Sequence, residues 1–297
     1  MSRSFLLGTL LVITASVLWG AMATVVQHVF ASGSGFTSLG LVTLRQLSAG
    51  VIFVLLASLF MPRAVWGIFR DARTVGAIAL NGILIFGAHY GFFQSIYYSN
   101  AGTGAILLTL VPLFSAVWIA FRERRFVSLV EVVCFILATA GVVLIVTDGD
   151  FGSLRFSPLA LVWGVACALF STAYIIQPVR VIRKVGVIPV AAWGFLAGGL
   201  CASLICPPWT VEVNWTLDTL LSFGFIVLFG TIAAFYLYLS GLRYLSPVVI
   251  GLINCAEPLS AFVFSMLFLG VELGFWQAAG VALVLSNVVL LTLARPR

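Results

Sequence analysis

The sequence predicts an all-α polytopic membrane protein of ten transmembrane helices, arranged as two inverted five-helix repeats. Composition is the first observation behind this. The 297 residues are 62% hydrophobic and only 8% charged, whereas a soluble globular chain runs about 45–50% apolar and about 25% charged. Charge spacing is the second. No Asp, Glu, Lys or Arg occurs between Arg3 and Arg45, between Arg73 and Arg122, between Arg155 and Arg180, between Lys184 and Glu212, or between Asp218 and Arg243. A helical span needs about 20 largely apolar residues, so these intervals hold one or two each. The third is the alternation of basic residues from loop to loop. Together they exclude a soluble enzyme, a disordered chain and a secreted disulfide scaffold. A β-barrel is disfavoured because its strands alternate apolar and polar residues, and these segments are continuously apolar.

The spans run in order along the chain. The first, about 5–30, begins behind Arg3 and runs too long for the apolar region of a signal peptide. The second, 38–60, carries Arg45. Spans three and four, 74–96 and 101–121, share the interval ending at Arg122. The fifth is 128–147. The sixth, 157–178, the seventh, 187–206, and the eighth, 218–241, fill the remaining uncharged intervals. The ninth, 246–268, contains Glu257, and the tenth is 274–294. Only short loops join them.

With the N-terminus in the cytoplasm, the inside loops collect every one of the 15 Lys and Arg residues except Arg45 and Arg155. Asp148, Asp150, Glu212, Asp218 and Glu272 fall outside. A miscounted span would break this alternation, so the bias supports both the count and the direction. Both termini are expected to be cytoplasmic. The formal net charge of +6 therefore reflects loops on one side of a bilayer and not a nucleic-acid surface. The cysteines all fall in apolar segments without a CxxC pair, so neither a metal site nor a disulfide framework is expected. No cofactor motif is present.

An odd number of spans per half means that the second half enters the membrane upside down. The halves, 1–150 and 151–297, also share a pattern. Leu18-Trp19-Gly20 matches Val162-Trp163-Gly164, and Tyr90, Tyr98 and Pro112-Leu113 match Tyr236, Tyr244 and Pro258-Leu259 in the same order at a near-constant offset. Inverted repeats commonly enclose a binding site near mid-membrane.

The chain resembles, along essentially its whole length, the ten-helix EamA-type members of the drug/metabolite transporter superfamily. The resemblance is carried by Leu18-Trp19-Gly20, by Tyr97–Pro112 and its counterpart Leu242–Pro258, and by Leu269-Gly270-Val271-Glu272, similar to that family's LGE turn before the last helix. In the first half that turn is degraded to Arg122-Glu123-Arg124-Arg125. The resemblance implies secondary transport of small metabolites, usually export, across a bacterial inner membrane. It also implies that spans five and ten are peripheral supports.

Eight residues are candidates for the substrate site: Trp19, His89, Tyr90, Gln94, Trp163, Tyr236, Asn254 and Glu257. Glu257 is a costly carboxylate inside a span, read either as a coupling or ammonium-binding group or as a fixed structural residue at a proline break. Phe86, Tyr90, Gln94 and Tyr97 form one helical stripe, expected to line a wet cavity, with His89 and Phe93 beside it. Tyr236 is Tyr90's repeat partner and is expected to meet it across the site. His89 is read as a titrating gate or as a neutral packing residue. Trp19 and Trp163 are read as paired walls or as helix packing beside Gly20 and Gly164. Asn254 shares a helical face with Glu257. Arg45 is read as a clamp for a carboxylate or, preferentially, as a structural group that pairs with Glu257 or snorkels outward.

These readings predict a transporter exporting amino acids, aromatic ones favoured, as a monomer or homodimer in lipid. The alternative is a carrier of choline-like organic cations, for which aromatic faces and Glu257 are also suited. The remote alternative is an intramembrane enzyme, for which Ser32 and Ser34 near His28, in an outer loop, are the Ser/His proximity of note.

Overall fold

The computed structural model describes residues 3–122, 124, 126, 129–150, 157–241, 243–245, 253–254 and 256–293. Glu123, Arg125, Arg155, Cys255, Arg295, Arg297 and the 246–252 start of the ninth expected span lie outside them. All regular structure among the described residues is helical: α1 (Arg3–Ala31), α2 (Ser38–Phe60), α3 (Pro62–Gly67), α4 (Ala72–Tyr98), α5 (Ala101–Leu108), α6 (Val111–Arg122), α7 (Leu129–Thr147), α8 (Pro158–Ile176), α9 (Val179–Val185), α10 (Val187–Ile205), α11 (Leu217–Val227), α12 (Ala234–Gly241), α13 (Ala256–Leu269) and α14 (Phe275–Leu293). A π-helical turn, Leu228–Ala233, joins α11 to α12. Seven stretches are long and apolar enough to cross a membrane. Shorter apolar helices occupy Val132–Ile145, Ala256–Leu269 and Phe275–Ser286, where spans five, nine and ten are expected. The chain is a polytopic helical membrane protein.

Local chemistry sets the helix ends. Thr37, Asn100 and Thr216 cap α2, α5 and α11, each side-chain oxygen accepting from the N–H three residues on, at 3.0, 2.8 and 3.2 Å. Asp71 caps α4 through the Arg73 N–H, and Ser157 caps α8 ahead of Pro158. These oxygens satisfy donors that the first helical turn leaves free. Between α5 and α6 the helix breaks at Thr109 and Leu110. Pro112 has no N–H to return to Leu108, and its ring crowds that carbonyl. Its repeat counterpart, Pro258, stands in the first turn of α13.

Packing runs largely between the two halves. α2 packs on α10, α4 on α8 and α10, α1 on α12 and α13, and α7 on α14. Exchanging the halves carries the α4–α8 contact onto α12–α1 and leaves α2–α10 and α7–α14 in place. In lipid, helices associate through close packing, which small residues permit. A Cβ on Gly82 would lie 2.7 Å from the Gly198 nitrogen, and one on Gly198 would lie 2.7 Å from the Gly82 carbonyl, so α4 and α10 touch backbone to backbone. Gly141 and Gly280 make the same contact between α7 and α14.

The loops gather at two ends. At one end the Lys184 ammonium donates to Asp71 at 2.6 Å and the Trp193 indole donates to the Val65 carbonyl at 2.9 Å. This end holds the basic connections. Lys184, followed by the Thr74 hydroxyl and the Arg73 N–H, holds the Asp71 carboxyl well below the usual carboxylate range. At the other end the Asn214 N–H donates to the Ser34 carbonyl. There His28 pairs with Asp218 at 2.9 Å, and Phe36 stacks on Phe223 with Trp215 edge-on.

Candidate functional site

A cavity of about 490 Å³ lies between the halves, within the roughly 300–1,000 Å³ usual for small-molecule sites. From α1 it takes Trp19 and Met22, and from α2 Arg45. The α4 wall is Asn81, Ile85, Ala88, His89 and Phe92. Opposite stand Ser171 and Tyr174 of α8, Phe195 of α10, and Phe235 and Tyr238 of α12. The two proline breaks contribute Thr109, Pro112, Asn254, Glu257 and Pro258. Toward the basic end the lining continues to Pro178, Ile182 and Val187. At the opposite end Phe93, fully buried, carries an edge contact from Phe30 below the Phe36–Phe223 cluster. The cavity therefore extends toward the basic end and is closed by aromatic packing at the other.

Arg45 is 1% exposed. Its Nε donates to the Thr231 hydroxyl at 2.8 Å, and its guanidinium lies 5.2 Å from the centre of the Phe93 ring. Thr231 is oriented by donating in turn to the Ile226 carbonyl, five residues back, the spacing of the π-helical turn. Nη1 of Arg45 is buried with no hydrogen-bond partner. No carboxylate lies within ion-pairing distance of Arg45 among the described residues. The preferred sequence reading is thereby corrected: Arg45 neither snorkels nor pairs with Glu257. Thr231 and Phe93 hold it in the wall, because burial in the bundle is complete before its side chain reaches either end.

Of the eight predicted residues, Trp19, His89, Asn254 and Glu257 line the cavity. Trp19 stands against Phe235 and Tyr238, with ring centres 5.4 and 5.2 Å apart. Gln46 bonds His89 Nδ1 at 2.9 Å through its amide nitrogen. With the amide so oriented, Nδ1 accepts, and a neutral ring carries its proton on Nε2. Asn254 Oδ1 accepts from Ser16 at 3.5 Å.

The other four lie elsewhere. The wet face of α4 is the 81/85/88/89/92 stripe, one residue round the helix from the expected 86/90/94/97 stripe. Tyr90 packs edge-on to Trp163 and accepts from Gln94 at 2.6 Å, so these three pack together at the α4–α8 crossing. Tyr236 is 65% exposed and does not line the cavity. The reason is the misjudged face of α4: at the offset that pairs Tyr90 with Tyr236, His89 pairs with Phe235 and Phe92 with Tyr238, and these four line the cavity whereas Tyr90 and Tyr236 both lie off it. Tyr238 and Phe235 face inward instead. Sequence reasoning also missed Tyr174, Ser171 and Phe195. Asn81, Gln46 and His89, polar groups at helical spacing in apolar spans, were the signal for the true face. Among the described residues no cluster of three metal-ligating side chains occurs.

Fold and site define a class, a helical membrane protein that encloses a small-molecule cavity between two like halves. The EamA-like transporter family matches residues 6–147 and again 158–293, and the chain belongs to it. It is 31% identical over 294 residues to the uncharacterized inner membrane transporter YicL of Salmonella typhimurium, covering 96% of this chain and 95% of that one. It is 23% identical to the protein PecM of Dickeya dadantii over 83% of this chain and 80% of the other. A solved crystal structure with 21% identity aligns over 96% of both chains with a TM-score of 0.65, a likeness of fold.

Proposed function

We propose that this membrane transporter is a secondary exporter of amino acids, aromatic ones favoured, working by alternating access. In this reading it has ten spans in two inverted repeats, 1–150 and 151–297, and both termini lie in the cytoplasm of a bacterial cell, in the inner membrane. The observation that carries the reading is the unpartnered, buried Nη1 of Arg45 in the same cavity wall as Glu257. A buried cation short of a partner is costly, and a substrate carboxylate supplies one. In this reading Glu257, which lines the same cavity, receives the ammonium, and Trp19, Phe235, Tyr238 and Phe195 offer aromatic faces to a side chain. The pairing of one cation with one carboxylate suits a zwitterion. It disfavours the alternative of choline-like cations, which Arg45 would repel.

In alternating access the cavity, extended toward the basic end, takes substrate from the cytoplasm. Parting of the Phe36–Phe223 cluster and the His28–Asp218 pair then releases it outside. The test is flux in sealed vesicles containing only this protein, with labelled aromatic amino acids against choline. Amino-acid flux dependent on both Arg45 and Glu257 is expected. Choline flux that survives Arg45→Gln would favour the cation carrier, and chemical conversion without flux an enzyme.

A further inference from the structure

A second recess lies outside the central cavity, between α4, α6, α8 and α9, with a volume of about 1320 Å³. Its walls are apolar side chains such as Leu84, Trp118, Phe121 and Leu169, and Trp118 and Phe121 are half or more exposed on the surface that meets lipid. At one end stand three arginines, Arg122 at the end of α6 and Arg180 and Arg183 on α9. None of the three has an ion pair or hydrogen-bonded partner among the described residues. Beside them is Gln177. Its amide nitrogen donates to the Ala77 carbonyl at 2.9 Å, while its Oε1 is buried without a partner.

We infer that this recess holds one anionic phospholipid whose headgroup carries hydroxyls, of the phosphatidylglycerol type. The apolar walls suit acyl chains. Three cations at one end of an apolar groove suit a phosphodiester at headgroup depth, since basic pockets between membrane helices recruit anionic lipid. The Gln177 acceptor needs a donor, which a glycerol hydroxyl provides and a choline headgroup lacks. Arginine, with its planar fork, is the better phosphate ligand where two or more oxygens are offered. The occupied groove would brace α9 and the α6 end against α8, next to the cavity lining at Pro178 and Ile182. The inference rests on the membrane-spanning fold and not on the choice of transported substrate.

The test is quenching of Trp118 by lipids brominated in their acyl chains, read as the difference between wild type and Trp118→Phe in nanodiscs. Phosphatidylglycerol should outcompete phosphatidylcholine of the same chains by roughly fivefold for each arginine, about a hundredfold in all. The triple Arg122→Gln, Arg180→Gln, Arg183→Gln variant should lose that preference, and the triple Lys variant should keep much of it. Should the triple Gln variant fail to fold, each single Gln variant should still lower the preference about fivefold. Equal quenching by the two lipids in the wild type would overturn the proposal, as would a preference that survives removal of the arginines. Displacement of the brominated lipid by millimolar inorganic phosphate would also overturn it, by showing a free-anion site. No flux is measured, so failure here is separate from failure of the amino-acid reading.

Discussion

Replacing Arg45 with Met should separate recognition from stability. The side chain makes one directional bond, Nε to the Thr231 hydroxyl, and one ring contact, with Phe93. Thr231 keeps its own bond to the Ile226 carbonyl when Arg45 is removed, so no donor is stranded. A Met fills most of the vacated volume beside Phe93. The lost cation–ring attraction, about 0.5–2 kcal/mol, is offset by the relief of a buried cation that lacks a full set of partners. Thermal unfolding should therefore shift little, within about 2 kcal/mol either way. Substrate binding is different. A charge-assisted hydrogen bond contributes roughly 1.5–3 kcal/mol, so affinity for an amino acid should fall roughly 10- to 150-fold. The assay is concentration-dependent flux in vesicles, run with an amino acid and with its methyl ester, which has no carboxylate to lose. The variant should discriminate between them far less than the wild type does. An equal loss for acid and ester, or a collapse of stability with no change in discrimination, would refute the assignment of Arg45 as carboxylate partner.

Four further outcomes are expected. Glu257→Gln should reduce amino-acid flux and flatten its dependence on pH, measured in the same vesicles at matched expression; an unchanged profile would leave Glu257 structural. Tyr238→Ala should impair flux, whereas Tyr236→Ala, at a position 65% exposed to lipid, should not. Gly20→Ala would place a Cβ 2.6 Å from the Glu257 carbonyl and 2.8 Å from the Ala261 nitrogen, while Gly76 has open space around it. Overpacking the α1–α13 crossing should cost about 1–3 kcal/mol, against little change for Gly76→Ala, by thermal melts. Asp71→Asn should lower the melting midpoint at neutral pH. Because the folded Asp71 carboxyl is held below its ordinary value by Lys184, its contribution is present above the usual carboxylate range and lost as pH falls through the depressed value. The wild-type and Asp71→Asn midpoints should converge in acid.

The sequence by itself determined the kind of solvent this chain folds in. Uncharged intervals of about 20 residues leave the backbone no option but helix inside a bilayer, and among the described residues seven stretches are long and apolar enough to cross one. Capping residues such as Thr37, Asn100 and Ser157 mark where helices start because their chemistry is local. Glu257, Trp19 and His89 were legible as site candidates because a polar or amphipathic group inside a span must face protein or water. Rotation is the part that the sequence could not convey. The cavity face of α4 differs from the predicted stripe by one residue, and the same step at the repeat offset puts Phe235 and Tyr238 of α12 in the lining and leaves Tyr236 outside it. In a soluble helix, hydrophobic periodicity fixes the buried face, but here the surroundings are as apolar as the core, so the period carries almost no signal. Only the tertiary structure decided which faces meet, through backbone contacts such as Gly82 with Gly198, and it alone shows that Arg45 is buried beside Thr231 and Phe93 with one nitrogen left free.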